Sequence, residues 1–566
     1  MKTLLTSLFR PIIYISLGLT LVFACKQINP FEGVDLTVNS NIYKAPILIE
    51  FVDANSNSTT LPKDLTVTIL GPNKDLVLTD QGGKDFKVAG NLLSLVLAKN
   101  ANPTENAPVE FTVSVKGTNY APTNYTITII DFSSSTYTVP LTNLSALPDG
   151  VKSVAKTTSL TTGETIVIPA SADKPEVAKI TIAPGTQVLD ENGAVINATS
   201  VNSNIIQYGT GTEDAFNGFP NEGEANTVKF KDGTTDQASF ITAGFVDIEM
   251  TAGGKSVKSF SKPLDMTLSI HPDLINPDTD ELVKVGDQIP VFSYNRDKDE
   301  WTEEGDATIT KDASGNLIAN FKVSHLSSWT ISWRFKGKSC GSKTYTVAFK
   351  SNVRYLSSTY YIRVSITKAG KTVYTKKYSQ FPIRYDTQLK FKAKNVAKGY
   401  KTIMRLYSRS GSLIYTSSFD ACTEKKVTMV IVIKVPNIVI PPNQPNPDDY
   451  VATTESDAIK VNLDFTAACT DKSVNIKPTV WVKFVDAAGG EQLVNVVEGK
   501  ATLGMKKNEK YQITATYDGT NYSGEITLNN GTATIVSQAG LTGSFPVNPT
   551  TGEIDATLVY PLNSCK

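Results

Sequence analysis

Short runs in which apolar and polar residues alternate recur along this 566-residue chain. Representative runs are Leu65–Ile69, Tyr125–Ile129 and Tyr511–Thr516. A period of two places one set of side chains on each face of a strand, and clusters of Gly, Asn, Asp and Pro separate the runs. Helical heptads are missing from the sequence. The pattern therefore predicts an all-β protein that is built as a string of β-sandwich domains.

The first 25 residues have the composition of a secretory signal. Lys2 and Arg10 precede an apolar run over residues 11–24, which is short for a membrane span. Cys25 follows a small residue, and this arrangement resembles the bacterial lipobox, in which the cysteine is acylated. The resemblance implies an exported chain that is held at a membrane through Cys25 without spanning it. The alternative is an ordinary signal peptide followed by an unrelated cysteine.

Composition shifts and turn-rich stretches divide the chain into domains of the Ig-like or carboxypeptidase-regulatory-like β-sandwich kind. The proline-rich segment 437–449 is typical of a semi-rigid linker. The other expected segments are the signal peptide (1–24), the lipid anchor and tether (25–35) and four β-sandwich regions (36–138, 139–336, 337–436 and 450–566).

Four further cysteines bracket the last two expected domains. Cys340 and Cys422 lie in the third domain, and Cys469 and Cys565 lie in the fourth. Export would place them in an oxidising compartment, where pairing is expected. Four cysteines allow three connectivities, and pairing within each domain is the simplest of them. We therefore expect one disulfide in each domain, the alternative being buried free thiols.

The composition argues against several classes of enzyme. The chain has only two histidines, His271 and His325, and no C-x-x-C spacing, so a His-rich or zinc site is not expected. The phosphate-binding loop, the G-x-S-x-G elbow and the dinucleotide fingerprint are all missing. We therefore predict a protein that is not an enzyme and that uses no cofactor and no metal. A polysaccharide-acting hydrolase, or an accessory of one, is the alternative.

A series of short phrases appears in a fixed order within residues 139–336. In chain order they are Ile182-Ala-Pro-Gly-Thr186, Gly286-Asp-Gln-Ile-Pro290, Trp301-Thr-Glu-Glu-Gly305 and Val323-Ser-His-Leu-Ser-Ser-Trp329. Together they resemble the β-sandwich module of cartilage intermediate layer protein and its relatives. The resemblance implies a binding or structural module that carries no catalytic residues.

The closing phrase also resembles the self-cleavage site of adhesion-receptor GAIN modules and netrin-receptor-type sandwiches. That resemblance implies that Ser327 is the nucleophile, that His325 is the base and that the Leu326–Ser327 bond breaks. The cysteine pairs that accompany the GAIN site are missing here. The alternative, which we prefer, is a turn or strand in which His325 packs beside Trp329 and Trp333 while Leu326 points inward.

Residues 336–427 carry 20 Lys or Arg against 3 Asp or Glu, a formal charge of +17 in a chain that is neutral overall. Ten tyrosines are interleaved with these basic residues. Alternation at Lys390, Lys392 and Lys394 places lysines on one face of a strand. With Arg405 and Arg409, these lysines form the predicted anion-binding face.

Lipopolysaccharide phosphates and acidic polysaccharides are the expected ligands of such a face. Nucleic acid is not expected, because no nucleic-acid-binding motif accompanies the charge. In the alternative interpretation, the acidic domains of the same chain neutralise the basic one, or the lysines only make edge strands soluble.

These features indicate a cell-envelope lipoprotein that resembles Bacteroidota-type surface lipoproteins. We expect it to act by binding or adhesion to an anionic glycan, lipopolysaccharide or an envelope protein. Residues 26–30 lack the acidic run that usually marks surface export in such proteins. The sequence is therefore compatible with a location on either the surface or the periplasmic face of an outer membrane.

Overall fold

The structure, a computed structural model, describes residues 36–39, 44–334, 340–431 and 458–562, apart from single residues and short loops within these ranges. Strands β1–β40 make up nearly all the regular structure of this part of the chain. Helix is limited there to α1 (Glu213–Phe216) and two 3-10 turns, Lys74–Leu76 and Pro220–Gly223. The chain is an all-β string of Ig-like sandwich units, as the alternating pattern predicts.

The first unit (residues 44–141) is a sandwich of a four-stranded sheet, β4-β5-β2-β8, and a three-stranded sheet, β3-β6-β7. Alternate residues of β2, such as Ile47, Ile49 and Phe51, have no exposed surface and fill the space between the sheets. The strands, with β1 preceding the unit, are β1 (Leu36–Asn39), β2 (Lys44–Asp53), β3 (Leu65–Leu70), β4 (Val77–Thr79), β5 (Leu92–Leu97), β6 (Val109–Gly117), β7 (Tyr120–Ile129) and β8 (Ser135–Leu141).

The second unit (residues 151–334) is larger. Its strands are β9 (Val151–Ser159), β10 (Glu164–Ile168), β11 (Ala178–Ile182), β12 (Val188–Leu189), β13 (Ser200–Tyr208), β14 (Glu224–Lys229), β15 (Thr235–Ala252), β16 (Lys255–Ser256), β17 (Ser259–Ser269), β18 (Ile275–Asn276), β19 (Glu281–Leu282), β20 (Gln288–Asn295), β21 (Glu300–Lys311), β22 (Leu317–His325) and β23 (Ser328–Arg334).

A single 13-stranded sheet folds over on itself to form this second unit, in the order β10-β11-β17-β22-β21-β20-β23-β15-β13-β9 with three short strands at its sides. The long strand β21 belongs to both layers, because its first part pairs with β20 and its last part pairs with β22. The two end strands, β9 and β10, come into contact. β9 and β10 are consecutive strands joined by residues 160–163, so the two ends of the sheet meet at this connection, which we call the seam.

An aromatic cluster covers the outer face of one layer of the second unit. Phe219, which follows α1, stacks on Trp301 with ring centroids 5.6 Å apart. Tyr294 lies 4.7 Å from the same tryptophan ring. Both Tyr294 and Trp301 are fully buried, and Ala121 of the first unit belongs to the same cluster. Apolar contact thus extends from the second unit to the first.

The third unit (residues 343–431) pairs a three-stranded sheet, β27-β24-β30, with a four-stranded sheet, β26-β25-β28-β29. Its strands are β24 (Lys343–Ser351), β25 (Thr359–Lys368), β26 (Lys371–Pro382), β27 (Gln388–Ala393), β28 (Lys401–Ser408), β29 (Leu413–Asp420) and β30 (Lys426–Ile431).

The fourth unit (residues 458–562) pairs a five-stranded sheet, β34-β33-β36-β37-β38, with a six-stranded sheet that includes β31, β32, β35, β39 and β40. Its strands are β31 (Ala458–Cys469), β32 (Val474–Lys477), β33 (Val480–Asp486), β34 (Glu491–Val496), β35 (Lys500–Lys506), β36 (Lys510–Tyr517), β37 (Thr520–Asn529), β38 (Thr532–Ser537), β39 (Thr542–Ser544) and β40 (Ile554–Leu562).

The first, third and fourth units share one topology. In each, the first strand pairs in parallel with the last, as β2 with β8, β24 with β30 and β31 with β40. The same first strand pairs on its other side with an antiparallel strand, β5, β27 or β35. These three units thus repeat one architecture, whereas their sequences share only similar short alternating runs.

The first and fourth units are in contact, although they are far apart in the sequence. Leu48 of β2, Trp481 of β33 and Leu493 of β34 form one buried cluster. Strand β1, which lies before the first unit, pairs in parallel with β32 and so completes a sheet of the fourth unit. The string of units is therefore folded back, with its two ends side by side.

Cys340 and Cys422 form a disulfide with their Cα atoms 5.7 Å apart, as the sequence predicts. Cys340 packs against the core beside β24, and Cys422 follows β29. Cys469, at the end of β31, is also disulfide-bonded. Its expected partner, Cys565, lies outside the described residues.

We expect the double substitution of Cys340 and Cys422 by serine to lower the free energy of unfolding of the third unit by about 4.5 kcal/mol. The bond closes a loop of 82 residues, and restricting an unfolded loop of this length gives about that value in the chain-entropy model. Urea unfolding followed by hydrogen exchange in β24 and β28 measures the change. Reduction of the unsubstituted protein also opens the disulfide of Cys469, so it should reproduce the change in β24 and β28 alone. An unchanged midpoint in the double variant would contradict the prediction.

Candidate functional site

A buried carboxylate joins the first and second units. Asp299 lies in the turn between β20 and β21, with a φ of 53° that aspartate tolerates better than most residues. Its carboxylate accepts hydrogen bonds from the hydroxyls of Thr112 and Tyr294 and, at 3.0 Å, from Nδ2 of Asn221. Thr112 belongs to β6 of the first unit. The carboxylate therefore receives donors from both units.

Tyr294 extends this network across the junction. Asn124 of β7 donates through Nδ2 to the Tyr294 hydroxyl at 2.7 Å and to the carbonyl oxygen of Arg296 at 2.9 Å. Burial, together with the nearby Asp299 carboxylate, raises the pKa of Tyr294 well above its usual value. The phenol therefore stays protonated and can donate to Asp299. We call Thr112, Asn124, Asn221, Tyr294 and Asp299 the junction network.

Beside the junction network, a mostly buried arginine is held by a carboxylate. Arg296 donates to Oδ2 of Asp247 at 2.7 Å and to the Ser328 hydroxyl at 3.2 Å, and it lies 3.8 Å from a carboxylate oxygen of Glu249. Asp247 and Ser328 are directly opposite each other on β15 and β23. Burial, and then the charge of Asp247, raise the pKa of Glu249. The arginine therefore lies near two carboxylates, those of Asp247 and Glu249.

The predicted self-cleavage residues lie at the edge of the same region. His325 ends β22, with its Nε2 atom 3.2 Å from Oε1 of Glu304 and its ring 5.0 Å from that of Trp329. The Ser327 hydroxyl donates to the carbonyl oxygen of Tyr294. Each side chain thus has a partner other than its supposed catalytic neighbour.

A backbone hydrogen bond fixes the connection between β22 and β23. The Leu326 amide donates to the carbonyl oxygen of Lys258 at 2.8 Å, and Leu326 is partly buried against the core. These contacts match the interpretation in which His325 packs beside Trp329. Cleavage of the Leu326–Ser327 bond stays a prediction, and no contact of His325 or Ser327 described here supports it.

These residues line a cleft of about 1020 Å³ between the first and second units. Lys116 and Pro122 of the first unit form one wall, and Asp247, Arg296 and His325 of the second unit lie on the other. Among the described residues, no group of three or more His, Cys, Asp or Glu is arranged to hold a metal ion. The cleft therefore offers charged and hydrogen-bonding groups to a polar ligand.

The third unit places two arginines directly opposite each other. Arg363 of β25 and Arg405 of β28 are in register across the antiparallel pair. The guanidinium of Arg363 lies 5.9 Å from the ring centroid of Tyr407. Burial lowers the pKa of Arg363, and the positive charge of Arg405 adds to this shift. We call Arg363, Arg405 and Tyr407 the arginine pair.

The other predicted anion-binding residues are distributed differently. Lys390 and Lys392 lie on β27, in the three-stranded sheet of the third unit, whereas Arg405 lies in the four-stranded sheet. Lys394 and Arg409 lie outside the described residues, as does the predicted lipidation site, Cys25. One sheet therefore does not carry all the predicted basic residues.

Sequence reasoning missed the arginine at position 363 and the junction network. The alternation around Asp247 and Glu249 on β15 could have indicated a polar face, because the flanking and intervening residues Val246, Ile248 and Met250 are buried. No comparable signal marks Asp299, because it lies in a turn among consecutive charged residues, which a sequence pattern treats as exposed. Its burial depends on contact with the first unit.

Comparisons with known proteins add little. No family model matches the chain, and no curated protein matches it. Similar solved structures include a C-terminal fragment of the pilus adhesin SpaC from Lactobacillus rhamnosus GG, at 10% identity, covering 39% of this chain and 99% of that chain with a TM-score of 0.15. The Bacillus anthracis TIE protein shows 9% identity, covering 90% of this chain and 77% of that chain with a TM-score of 0.12.

The major pilin subunit BcpA of Bacillus cereus is a third similar structure, at 9% identity, covering 92% of this chain and 100% of that chain with a TM-score of 0.11. Similarity at this level carries no argument about fold or function. The resemblance of residues 139–336 to the cartilage intermediate layer protein module stays a prediction.

We expect Asp299→Ala to lower the free energy of unfolding by about 3 kcal/mol, because three donors of the junction network lose a charged acceptor. Urea unfolding measures the loss. Asp297→Ala is the matched control: its side chain is 74% exposed, and its ion pair with Lys116 spans 4.0 Å. That change should alter stability by no more than about 0.5 kcal/mol. Equal effects of the two substitutions would contradict the role given to Asp299.

The hydrogen bond with His325 lowers the pKa of Glu304, more than burial raises it. A carboxyl whose pKa is lower in the folded state stabilises the fold above its unfolded pKa, about 4.3. That stabilisation is lost as the pH falls through the folded value. The stability difference between the unsubstituted protein and Glu304→Gln should therefore shrink as the pH falls below about 5. Urea unfolding at several pH values tests this, and a difference that grows on acidification would overturn the assignment.

Proposed function

We propose that this protein is a membrane-anchored envelope protein that acts by binding an anionic glycan or lipopolysaccharide rather than by catalysis. The anchor is the lipid predicted at Cys25, on an outer membrane. Among the described residues, no helix has the length and apolar character that crossing a membrane requires. The observation that carries the binding proposal is the arginine pair of the third unit.

Two like charges opposite each other in a sheet repel each other, and partial burial strengthens the effect. The depressed pKa of Arg363 reflects both its burial and the presence of Arg405. A phosphate or carboxylate bound between the two guanidinium groups would replace this repulsion with charge-assisted hydrogen bonds. Tyr407 offers a ring beside them, on which a sugar can pack.

The charge of the surrounding unit supports the same ligand class. An excess of 17 positive charges over residues 336–427 draws anions towards this unit. The competing explanation is neutralisation by the acidic remainder of the chain. Strand β26, at the edge of the four-stranded sheet, contacts β8, β15 and β34 of the other units. The arginine pair lies on β25 and β28, further into that sheet, and β25 also contacts β34 of the fourth unit.

We expect Arg363→Gln combined with Arg405→Gln to weaken binding of the full chain to lipopolysaccharide or acidic glycan about tenfold. Binding of the unsubstituted protein should also weaken steeply as salt rises. Surface plasmon resonance over a salt series measures both effects. The ligands are lipopolysaccharide, its dephosphorylated form and an acidic polysaccharide.

Lys398→Gln combined with Lys401→Gln is the matched control. It removes two charges from exposed positions of the same unit and should weaken binding much less. Equal losses would mean that only net charge matters. No saturable binding by the unsubstituted protein would assign the positive charge to contacts within the chain. Release of reducing sugar from the polysaccharide would support the hydrolase alternative.

A further inference from the structure

The second unit buries one lysine completely. Lys174 lies in the connection between β10 and β11 and has no exposed surface. Its Nζ atom donates to the carbonyl oxygen of Glu176 and, at 3.0 Å, to the side-chain Oε1 of Gln207. The carbonyl oxygen of Pro169 is 3.5 Å away. These three hydrogen-bond acceptors of Lys174 are uncharged, since they are two backbone carbonyl oxygens and one side-chain amide oxygen.

Complete burial changes the chemistry of this amine. Lysine is almost never fully buried unless it is paired with a charge. Burial lowers the pKa of Lys174 to about 8, although the nearby Glu176 carboxylate acts in the opposite direction. A share of the molecules therefore carries the neutral amine near neutral pH. A desolvated, neutral lysine amine is a nucleophile.

The group in contact with this nucleophile is a carboxamide. Gln207 lies on β13, near the other end of the 13-stranded sheet, and is 2% exposed. Its side-chain oxygen already accepts a hydrogen bond from Lys174, so the amide carbon lies next to the amine. Water has little access to either group. The pair therefore brings an amine and an amide together in a shielded place.

A buried carboxylate lies beside them. Glu176 is 2% exposed, and its Oε1 accepts hydrogen bonds from the amide and the hydroxyl of Thr210 at 2.7 and 2.9 Å. Its Oε2 is buried and has no hydrogen-bond partner among the described residues. Such an oxygen can accept and return a proton.

Gly209 makes this close approach possible. A Cβ atom at this position would lie 2.9 Å from Cγ of Lys174 and 3.2 Å from Oε2 of Glu176. Any larger residue would therefore press on the lysine stem and the carboxylate. Gly209 follows Gln207 by two residues, so the amide, the amine and the carboxylate converge around one short stretch of backbone.

We propose that Lys174 and Gln207 become joined by an intramolecular amide crosslink. The neutral Nζ of Lys174 attacks Cδ of Gln207, so that the Nζ–Cδ bond forms and the Cδ–Nε2 bond breaks. Nε2 leaves as ammonia with a proton from Nζ, and the Glu176 carboxylate passes this proton between the two nitrogens. The exchange of one amide for another needs no oxidant, reductant or further reactant.

The crosslink would fasten the seam of the second unit. Lys174 follows β10, at one end of the folded sheet, and Gln207 lies on β13, next to the other end strand, β9. Residues 160–163 already join β9 to β10, so the new bond would be a second covalent link between the two ends of the sheet. This inference does not depend on anion binding by the third unit.

Peptide mapping of the full-length protein by mass spectrometry tests the proposal. We expect the peptide that contains Lys174 to be found joined to the peptide that contains Gln207, with a total mass lower than their sum by one ammonia. Separate peptides of unmodified mass would overturn the proposal and make Lys174 a buried hydrogen-bond donor. This measurement needs no variant and is decisive even if the substitutions impair folding.

Variants identify the reacting groups. Lys174→Met and Gln207→Leu should each abolish the joined peptides, and Glu176→Gln should leave most molecules unjoined. Lys255→Met is the matched control, since Lys255 is exposed on β16, and it should retain the crosslink. Succinimide formation at Asn192–Gly193 also releases ammonia, but it joins no peptides and does not depend on Lys174. Joined peptides in Lys174→Met would contradict the assignment.

Discussion

The first, third and fourth units all depend on one non-local interaction, the parallel pairing of the first strand with the last. Each pairing, β2 with β8, β24 with β30 and β31 with β40, closes a loop that contains the rest of its unit. The entropy of closing such a loop opposes the pairing until the strands between have collapsed around the core. The Cys340–Cys422 disulfide acts on this step in the third unit, because it ties a cysteine three residues before β24 to the segment that leads into β30. The bond and the ladder therefore restrict the same loop.

Polar groups, in addition to apolar contact, determine how the first and second units meet. Apolar packing is tolerant of small shifts, whereas a buried carboxylate requires its donors at fixed distances and angles. Asp299 receives donors from Thr112 of one unit and Tyr294 of the other. The Arg296–Asp247 pair lies a few residues away on the same wall of the cleft. The shape of the cleft thus depends on hydrogen bonds that hold two units in one orientation.

The sequence predicts local features of this protein better than distant ones. Runs such as Leu65–Ile69 show their strand character because a period of two is local, and each lies within an observed strand. The pairing of β1 with β32 left no local trace, since a ladder joins backbone groups and does not require particular side chains. Lys174 lies in a turn-like segment, where a sequence pattern treats lysine as exposed. The sequence predicted one member of the arginine pair, Arg405, but not Arg363. The register that places the two residues opposite each other is a property of the sheet.

The pairing of β1 with β32 also bears on which anion the third unit could reach. Ten residues separate Cys25 from Leu36, the first residue of β1, and even a fully extended chain of this length spans only about 40 Å. If Cys25 carries the proposed lipid, the fourth unit is held close to the membrane, because β1 belongs to its sheet. The third unit contacts the fourth through β26 and β34, so its position is tied to the same anchor. Phosphate groups of the anchoring membrane and glycans beyond it would then compete for the arginine pair, which is why dephosphorylated lipopolysaccharide is the informative ligand.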